Sequence, residues 1–137
     1  MGKLRLRIVT PTEVKVDEDT DMVVMRCLTG DMGIQPGHEE RSAALDYGIA
    51  RVFEGGVERR IAIAGGIAKV SDDVLTIITG GAEWPEDIDR TIAEEEREAA
   101  IKRIQESNDK VEIQRSQVSL RRALVQIEVS AYPVVSK

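Results

Sequence analysis

Histidine and cysteine each occur once in these 137 residues, and the aromatic residues are one Trp, one Phe and two Tyr. Each shortage excludes something. His38 has no second histidine at H-E-x-x-H spacing, and Glu39 and Glu40 beside it point apart on an extended chain, so too few ligands converge for a metal. The same single histidine leaves no Ser/His/Asp set to argue for, and no catalytic residue is expected. Cys27 can build no internal disulfide framework and suits a reducing compartment as a small buried thiol. With so few rings, the core must come from Val, Ile, Leu and Met. Basic residues are outnumbered, giving a formal charge of −6, which argues against nucleic acid as a partner. No run is apolar enough to span a bilayer, and the first residues lack a charged-then-apolar secretory pattern. A soluble, cytosolic protein is expected, reaching a membrane only through a partner.

Glycine and proline are missing from one region only. All eleven glycines lie at or before Gly81, and neither residue type occurs between Pro85 and Pro133. The first part is punctuated by turn residues and the last is rich in Glu, Ala, Arg, Ile and Gln, so strands give way to helices at this boundary.

Lys3 to Thr10 alternates, with Leu4, Leu6 and Ile8 on one face and Lys3, Arg5 and Arg7 on the other. Val14 and Val16 continue the period, and Met22 to Leu28 is a more apolar strand. Further strands are expected over Ile49–Glu54, Val57–Ala64, Ile67–Val70 and Val74–Thr79, separated by hairpin turns at Gly55-Gly56, Gly65-Gly66 and Asp72-Asp73. Neither Gly-Gly pair has P-loop spacing or opens a helix, so neither cradles phosphate. This many short strands points to a β-sandwich or flattened barrel.

Pro85-Glu86-Asp87 reads as a helix start. One helix is expected from about Glu86 to Glu106, a capped turn at Ser107-Asn108-Asp109, and a second helix from Lys110 to about Ala131, stopped by Pro133. The first offers a thin stripe of Ile88, Ile92 and Ala99, flanked by Ala93, Ala100 and Ile104. The second has two stripes: Ile113, Leu120, Leu124 and Ile127, and roughly opposite them Val111, Val118 and Val125 interleaved with Arg115 and Arg122. Burying a Leu or Ile gains about 1.5–3 kcal/mol, while ordering costs about 1–2 kcal/mol per residue. A two-helix hairpin therefore has too small a core to stand alone, and must dock on the sandwich, on another protein, or on each in turn. The fold class is thus α+β: a β-sandwich over residues 1–84, then an antiparallel two-helix hairpin over 85–137.

The most distinctive segment is Thr29-Gly30-Asp31-Met32-Gly33-Ile34-Gln35-Pro36-Gly37-His38. It reads either as a turn that closes the sheet or as a shaped loop presenting Asp31 and Met32 to a partner. Arg115, Arg121 and Arg122 form either a solvated face or a contact for an acidic partner.

With loop and hairpin in place, the chain resembles the epsilon subunit of F-type rotary ATP synthase. Gly30 to His38 is similar to the family's G-E-x-G-I-x-P-G-H. Gly65-Gly66-Ile67-Ala68-Lys69-Val70-Ser71-Asp72-Asp73-Val74-Leu75-Thr76-Ile77 is the second shared stretch, and Asp87-Ile88-Asp89 opens the helices similarly. The resemblance implies a non-catalytic central-stalk subunit at the cytoplasmic face of a bacterial membrane. It binds the gamma subunit and the c-ring, helps couple ion flow to ATP synthesis, and restrains hydrolysis through the hairpin. It assigns Asp31, Met32, Gly33 and His38 to the c-ring contact. Arg115, Arg121 and Arg122 go to gamma and the alpha/beta catalytic subunits when the hairpin is extended. After His38 the family's Ala-Pro-Leu-Leu-type stretch is replaced by Glu39-Glu40-Arg41-Ser42. Some members bind ATP through I/L-D-x-x-R-A; here Ile88, Asp89 and Ala93 match, but Ile92 stands where the arginine should be. Weak or no ATP binding is expected, and no cofactor. A freestanding nucleotide-sensing module and a small enzyme using Asp31 and His38 are the rival readings.

Overall fold

The computed structural model describes residues 2–132; Pro133, read above as a helix stop, and the end of the expected hairpin region lie outside the described residues. Eight strands, β1 (Leu4–Val9), β2 (Val14–Thr20), β3 (Met22–Cys27), β4 (Gly30–Ile34), β5 (Arg41–Glu54), β6 (Val57–Ser71), β7 (Val74–Ile78) and β8 (Ala82–Glu83), precede a 3-10 turn (Pro85–Asp87) and two helices, α1 (Arg90–Glu106) and α2 (Lys110–Ser130). Strand order is β2-β1-β7-β6-β5-β3-β4, with β8 on β6, and every pair is antiparallel except β1 with β7.

The alternation in β1 works as read. Leu4, Leu6 and Ile8 are fully buried, and Arg5 turns outward to Asp17 at 2.8 Å and Asp19 at 3.3 Å on β2. Leu4, Leu6, Ile8, Val23, Ile34, Val52, Ile61, Leu75 and Ile77 form a single aliphatic core to which strands from both halves of the sheet contribute. The sheet is therefore folded over itself as a sandwich.

Two expected features differ. Gly65-Gly66 is not a hairpin turn: β5 and β6 pair on both sides of it, with Leu45 opposite Gly66 and Tyr47 opposite Ala64, so the pair bends one long strand. Gly66 takes φ +116° there, and an added Cβ would sit 2.0 Å from the Ile78 carbonyl oxygen. Only glycine permits that approach of β6 to β7. Gly55-Gly56, by contrast, does close the β5–β6 hairpin. Residues Gly30–Ile34, expected as a loop, instead form β4, because their pairing with β3 satisfies the backbone.

Pro85-Glu86-Asp87 forms a separate 3-10 turn, and α1 begins only at Arg90, after the cap at Asp89. The hairpin's seam also differs from the expected stripe. Ala93 and Ala100 are buried in α1, and Ser116 and Ala123 in α2, while Ile92 is exposed at 56%. Small residues let the two axes approach closely, so the seam follows Ala93 and Ala100 rather than Ile92 and Ala99. Arg103 Nε donates to Ser116 Oγ across it at 3.1 Å. α1 packs on α2, and α2 in turn packs on β5 and β6. The hairpin is folded down onto the sandwich.

Candidate functional site

Asp31 and Met32 lie in β4, not at a loop tip. The β3–β4 tip is Leu28-Thr29. Asp31 faces Arg26 across the strands and pairs with it at 2.8 Å, both side chains well exposed. Met32 stands opposite Met25 and packs against the core, and Gly33 is exposed beside it. His38 follows the turn at Pro36-Gly37. Its amide donates to the Gln35 carbonyl at 3.2 Å, and Nδ1 lies 2.7 Å from the Glu39 carbonyl. Asp31 and His38 thus have separate partners and form no acid–base pair. Gly37 N–H donates to Asp73 Oδ1 at 2.6 Å. That bond ties the turn before His38 to the Asp72-Asp73 turn, so the two stretches that carry the family resemblance meet in space.

The sheet carries a second feature, which the sequence reading missed. Val9 pairs with Ile78, Ile78 with Ile67, Ile67 with Ala44, and Leu28 N–H reaches the Ala44 carbonyl. Directly paired residues project on the same face, so these side chains form one apolar row across the sheet. Leu28 is 67% exposed, Ile78 61% and Ile67 59%. A signal for it existed. Ile67 is in phase with Lys69 and Ile78 with Thr76, so each puts an apolar side chain on the phase that should be polar.

The junction between sandwich and hairpin is pinned. Trp84 packs against the core, and the Arg59 guanidinium lies 4.6 Å above its ring. Trp84 N–H donates to Asp87 Oδ2 at 2.9 Å, and Lys15 Nζ reaches the same oxygen at 2.7 Å. Burial pushes the Asp87 carboxyl up, but the hydrogen bonds from Lys15 and Trp84 outweigh it and hold the group below the usual carboxylate range. The hydrogen bond to Asp87 raises Lys15 above its ordinary value.

The residues matched to the ATP motif do not converge on a ligand. Asp89 caps α1, accepting from the Ile92 amide at 3.2 Å. Ile88 closes the 3-10 turn through its amide to the Pro85 carbonyl, and Ala93 is buried. Arg90, the nearest cation in sequence, is held by Glu94 at 3.0 Å.

The three arginines of α2 are split. Arg115 is exposed. Arg122 lines a cleft of about 170 Å³ between α2 and the sheet, together with Glu83, Val125 and Gln126. Arg121 pairs with Asp46 on β5 and lies 5.9 Å from the centroid of the Tyr47 ring. Val125 is half-buried where α2 meets the sheet, whereas Val118 and Val111, on the same helix face, are 44% and 53% exposed. Among the described residues no cluster suits a metal ion, and no helix is long and apolar enough to cross a membrane.

Comparison with known proteins supplies the context. A family model described as ATP synthase, Delta/Epsilon chain, beta-sandwich domain matches residues 3–85, and one described as ATP synthase, Delta/Epsilon chain, long alpha-helix domain matches residues 86–131. An ATP synthase epsilon chain of Caldicellulosiruptor saccharolyticus is 35% identical over 124 residues, covering 90% of both chains. One from Levilactobacillus brevis is 37% identical over 132 residues, covering 94% of this chain and 95% of that one. Among solved structures, a chain of the Euglena gracilis mitochondrial ATP synthase, OSCP/F1/c-ring, matches with a TM-score of 0.82 at 27% identity, over 96% of this chain and 83% of that one.

Proposed function

Since the chain belongs to the ATP synthase delta/epsilon family, as a non-catalytic epsilon subunit of the central stalk, we propose that it binds gamma and the c-ring and couples ion flow to ATP synthesis. The observation that carries the reading is the apolar row Val9, Ile78, Ile67, Ala44 and Leu28. An exposed, contiguous apolar strip on a stable sandwich marks an interaction face, and we assign it to gamma. The adjoining edge, with Asp31, Met32 and Gly33 on β4 and His38 after the Pro36-Gly37 turn, is assigned to the c-ring. The tie between Gly37 and Asp73 supports this, because it fixes that edge relative to β7, which carries Ile78. The sandwich of residues 1–84 is then the rotor-binding part.

Residues 85–137 act as the regulatory part. When the hairpin leaves the sandwich, its α2 arginines meet gamma and the alpha/beta subunits, and ATP hydrolysis is restrained. Two features support this: Val111 and Val118 stay exposed in the docked state, and α2 makes the hairpin's main contact with β5 and β6. The protein works at the cytoplasmic face of the membrane and is held there by the complex.

The test is Ile67→Glu combined with Ile78→Glu. Each buried isoleucine contributes about 1.5–3 kcal/mol, so gamma binding should weaken by roughly 100-fold or more, measured by titration against the isolated gamma subunit. Both side chains are exposed in this chain, so the urea midpoint should stay within error. Val57→Glu, an exposed position outside the row, serves as control. Undiminished gamma binding by the double variant would remove the assignment.

A further inference from the structure

Three side-chain ties hold the folded-down hairpin. Arg121 pairs with Asp46, Gln126 Nε2 donates to Glu83 Oε1 at 2.8 Å, and Arg60 Nη1 donates to Tyr132 Oη at 2.5 Å with its guanidinium 3.9 Å from that ring's centroid. Solvent-open clefts flank these ties. Val125 lines both the cleft of about 170 Å³ and a second of about 320 Å³, the latter bounded also by Arg26, Tyr47, Arg60 and Glu128. Of the three, only Arg121–Asp46 is an ion pair; partly exposed, it is worth little and weakens with salt, so it is the tie most easily exchanged.

Arg121 belongs to the set assigned above to partner subunits, yet here it is occupied by Asp46 and stacked near Tyr47. It cannot serve both at once. We propose that Asp46 is an internal stand-in for an acidic partner surface: it competes with partner carboxylates for Arg121, so the hairpin opens when a partner presents them. The inference rests on the mobile-hairpin reading above and names its switch residue. Asp46 is suited to the task by position. It lies on β5 between Leu45 and Arg51, where the pairing with β3 shifts register, and beside the Gly65-Gly66 bend of β6, and its carboxylate also accepts from the Tyr47 amide at 2.8 Å. That bond fixes the acceptor in place whether or not α2 is docked.

The test uses the full chain carrying paired spectroscopic labels at Ser42 and Asn108, read by dipolar distance distributions. Asp46→Asn should raise the ratio of open to docked hairpin about two- to fivefold and flatten its salt dependence. The charge swap Asp46→Arg with Arg121→Asp should restore the docked population. Poly-L-glutamate, as a generic acidic probe, should open the wild type, and its titration midpoint should fall two- to fivefold in Asp46→Asn. An unchanged open population in Asp46→Asn, a swap that fails to restore docking, or wild type indifferent to poly-L-glutamate would each overturn the proposal. Urea midpoints equal to wild type establish that the variants are folded. Gamma binding through Ile67 and Ile78 is measured separately, so failure of the stalk assignment and failure of the switch are told apart.

Discussion

Replacing Gly66 with alanine tests whether the bend in β6 is what lets one long strand serve both halves of the sandwich. An alanine would have to hold φ at +116°, a region that L residues avoid at roughly 1–2 kcal/mol. Its Cβ would lie 2.0 Å from the Ile78 carbonyl oxygen and 2.9 Å from the Thr79 Cα, both backbone atoms that cannot rotate away. Relieving that contact moves the end of β7 by about 1 Å, and overpacking of this kind costs about 1–3 kcal/mol. The two effects together give a loss of about 2–5 kcal/mol, a large share of the 5–15 kcal/mol typical of a domain. Gly55 provides the control. It has φ +58° but nothing within 4 Å of an added Cβ, so Gly55→Ala should cost only the backbone term of about 1–2 kcal/mol. The assay is urea unfolding followed by Trp84 fluorescence, with ΔG compared at matched m-values. If Gly66→Ala costs no more than Gly55→Ala, the close approach of β6 to β7 is not what requires glycine. Because the Ile67–Ile78 pair adjoins the bend, Gly66→Ala should also weaken gamma binding.

Two further outcomes follow from the junction and from α1. Asp87 titrates below its ordinary range, so its contribution to stability is complete above the unfolded value of about 3.9 and disappears as pH falls through the lower folded value. The Lys15 contribution has the opposite sense: complete below about 10.4, it is lost as pH rises through the raised folded value. Asp87→Asn should therefore be less stable than wild type at neutral pH, with a gap that narrows as pH falls below the unfolded value of about 3.9; urea unfolding at neutral and at acid pH checks it, and a constant gap refutes it. Isothermal titration of the full chain with Mg-ATP should show no micromolar binding, because Asp89 is used as a helix cap, Ala93 is buried and Ile92 replaces the arginine. Micromolar affinity would contradict this and revive the nucleotide-sensing reading.

Much of the fold was legible because it is set locally. The alternation in Leu4 to Ile8, the turn chemistry of Gly55-Gly56 and Asp72-Asp73, and the cap at Asp109 depend on near neighbours, and the structure has them where the pattern placed them. The meaning of Gly65-Gly66 was not legible, since a turn and a bend use the same residue type, and only pairing with β5 distinguishes them. β4 was hidden for a similar reason. Its glycines lower strand propensity, and pairing with β3 overrides that. In α1, hydrophobicity favoured Ile92, but helix–helix distance favoured Ala93 and Ala100. For the candidate site, Asp31, His38 and the arginines of α2 stood out by residue type and spacing. The row through Ile67 and Ile78 did not, because its members are scattered in sequence from residue 9 to residue 78 and only strand pairing lines them up.

The sequence by itself determined that the chain is a strand-rich part followed by helices, that its core is aliphatic, and that the hairpin needs a surface to dock on. These follow from composition, period and the glycine boundary, all of which act over a few residues. Only the tertiary structure decided which surface the hairpin takes, that Arg121 is held by Asp46 while Arg115 stays exposed, and that the outward isoleucines of β6 and β7 lie side by side. Those are relations between residues far apart in the chain. Strand order and the bend at Gly66 create them, and no local preference encodes either.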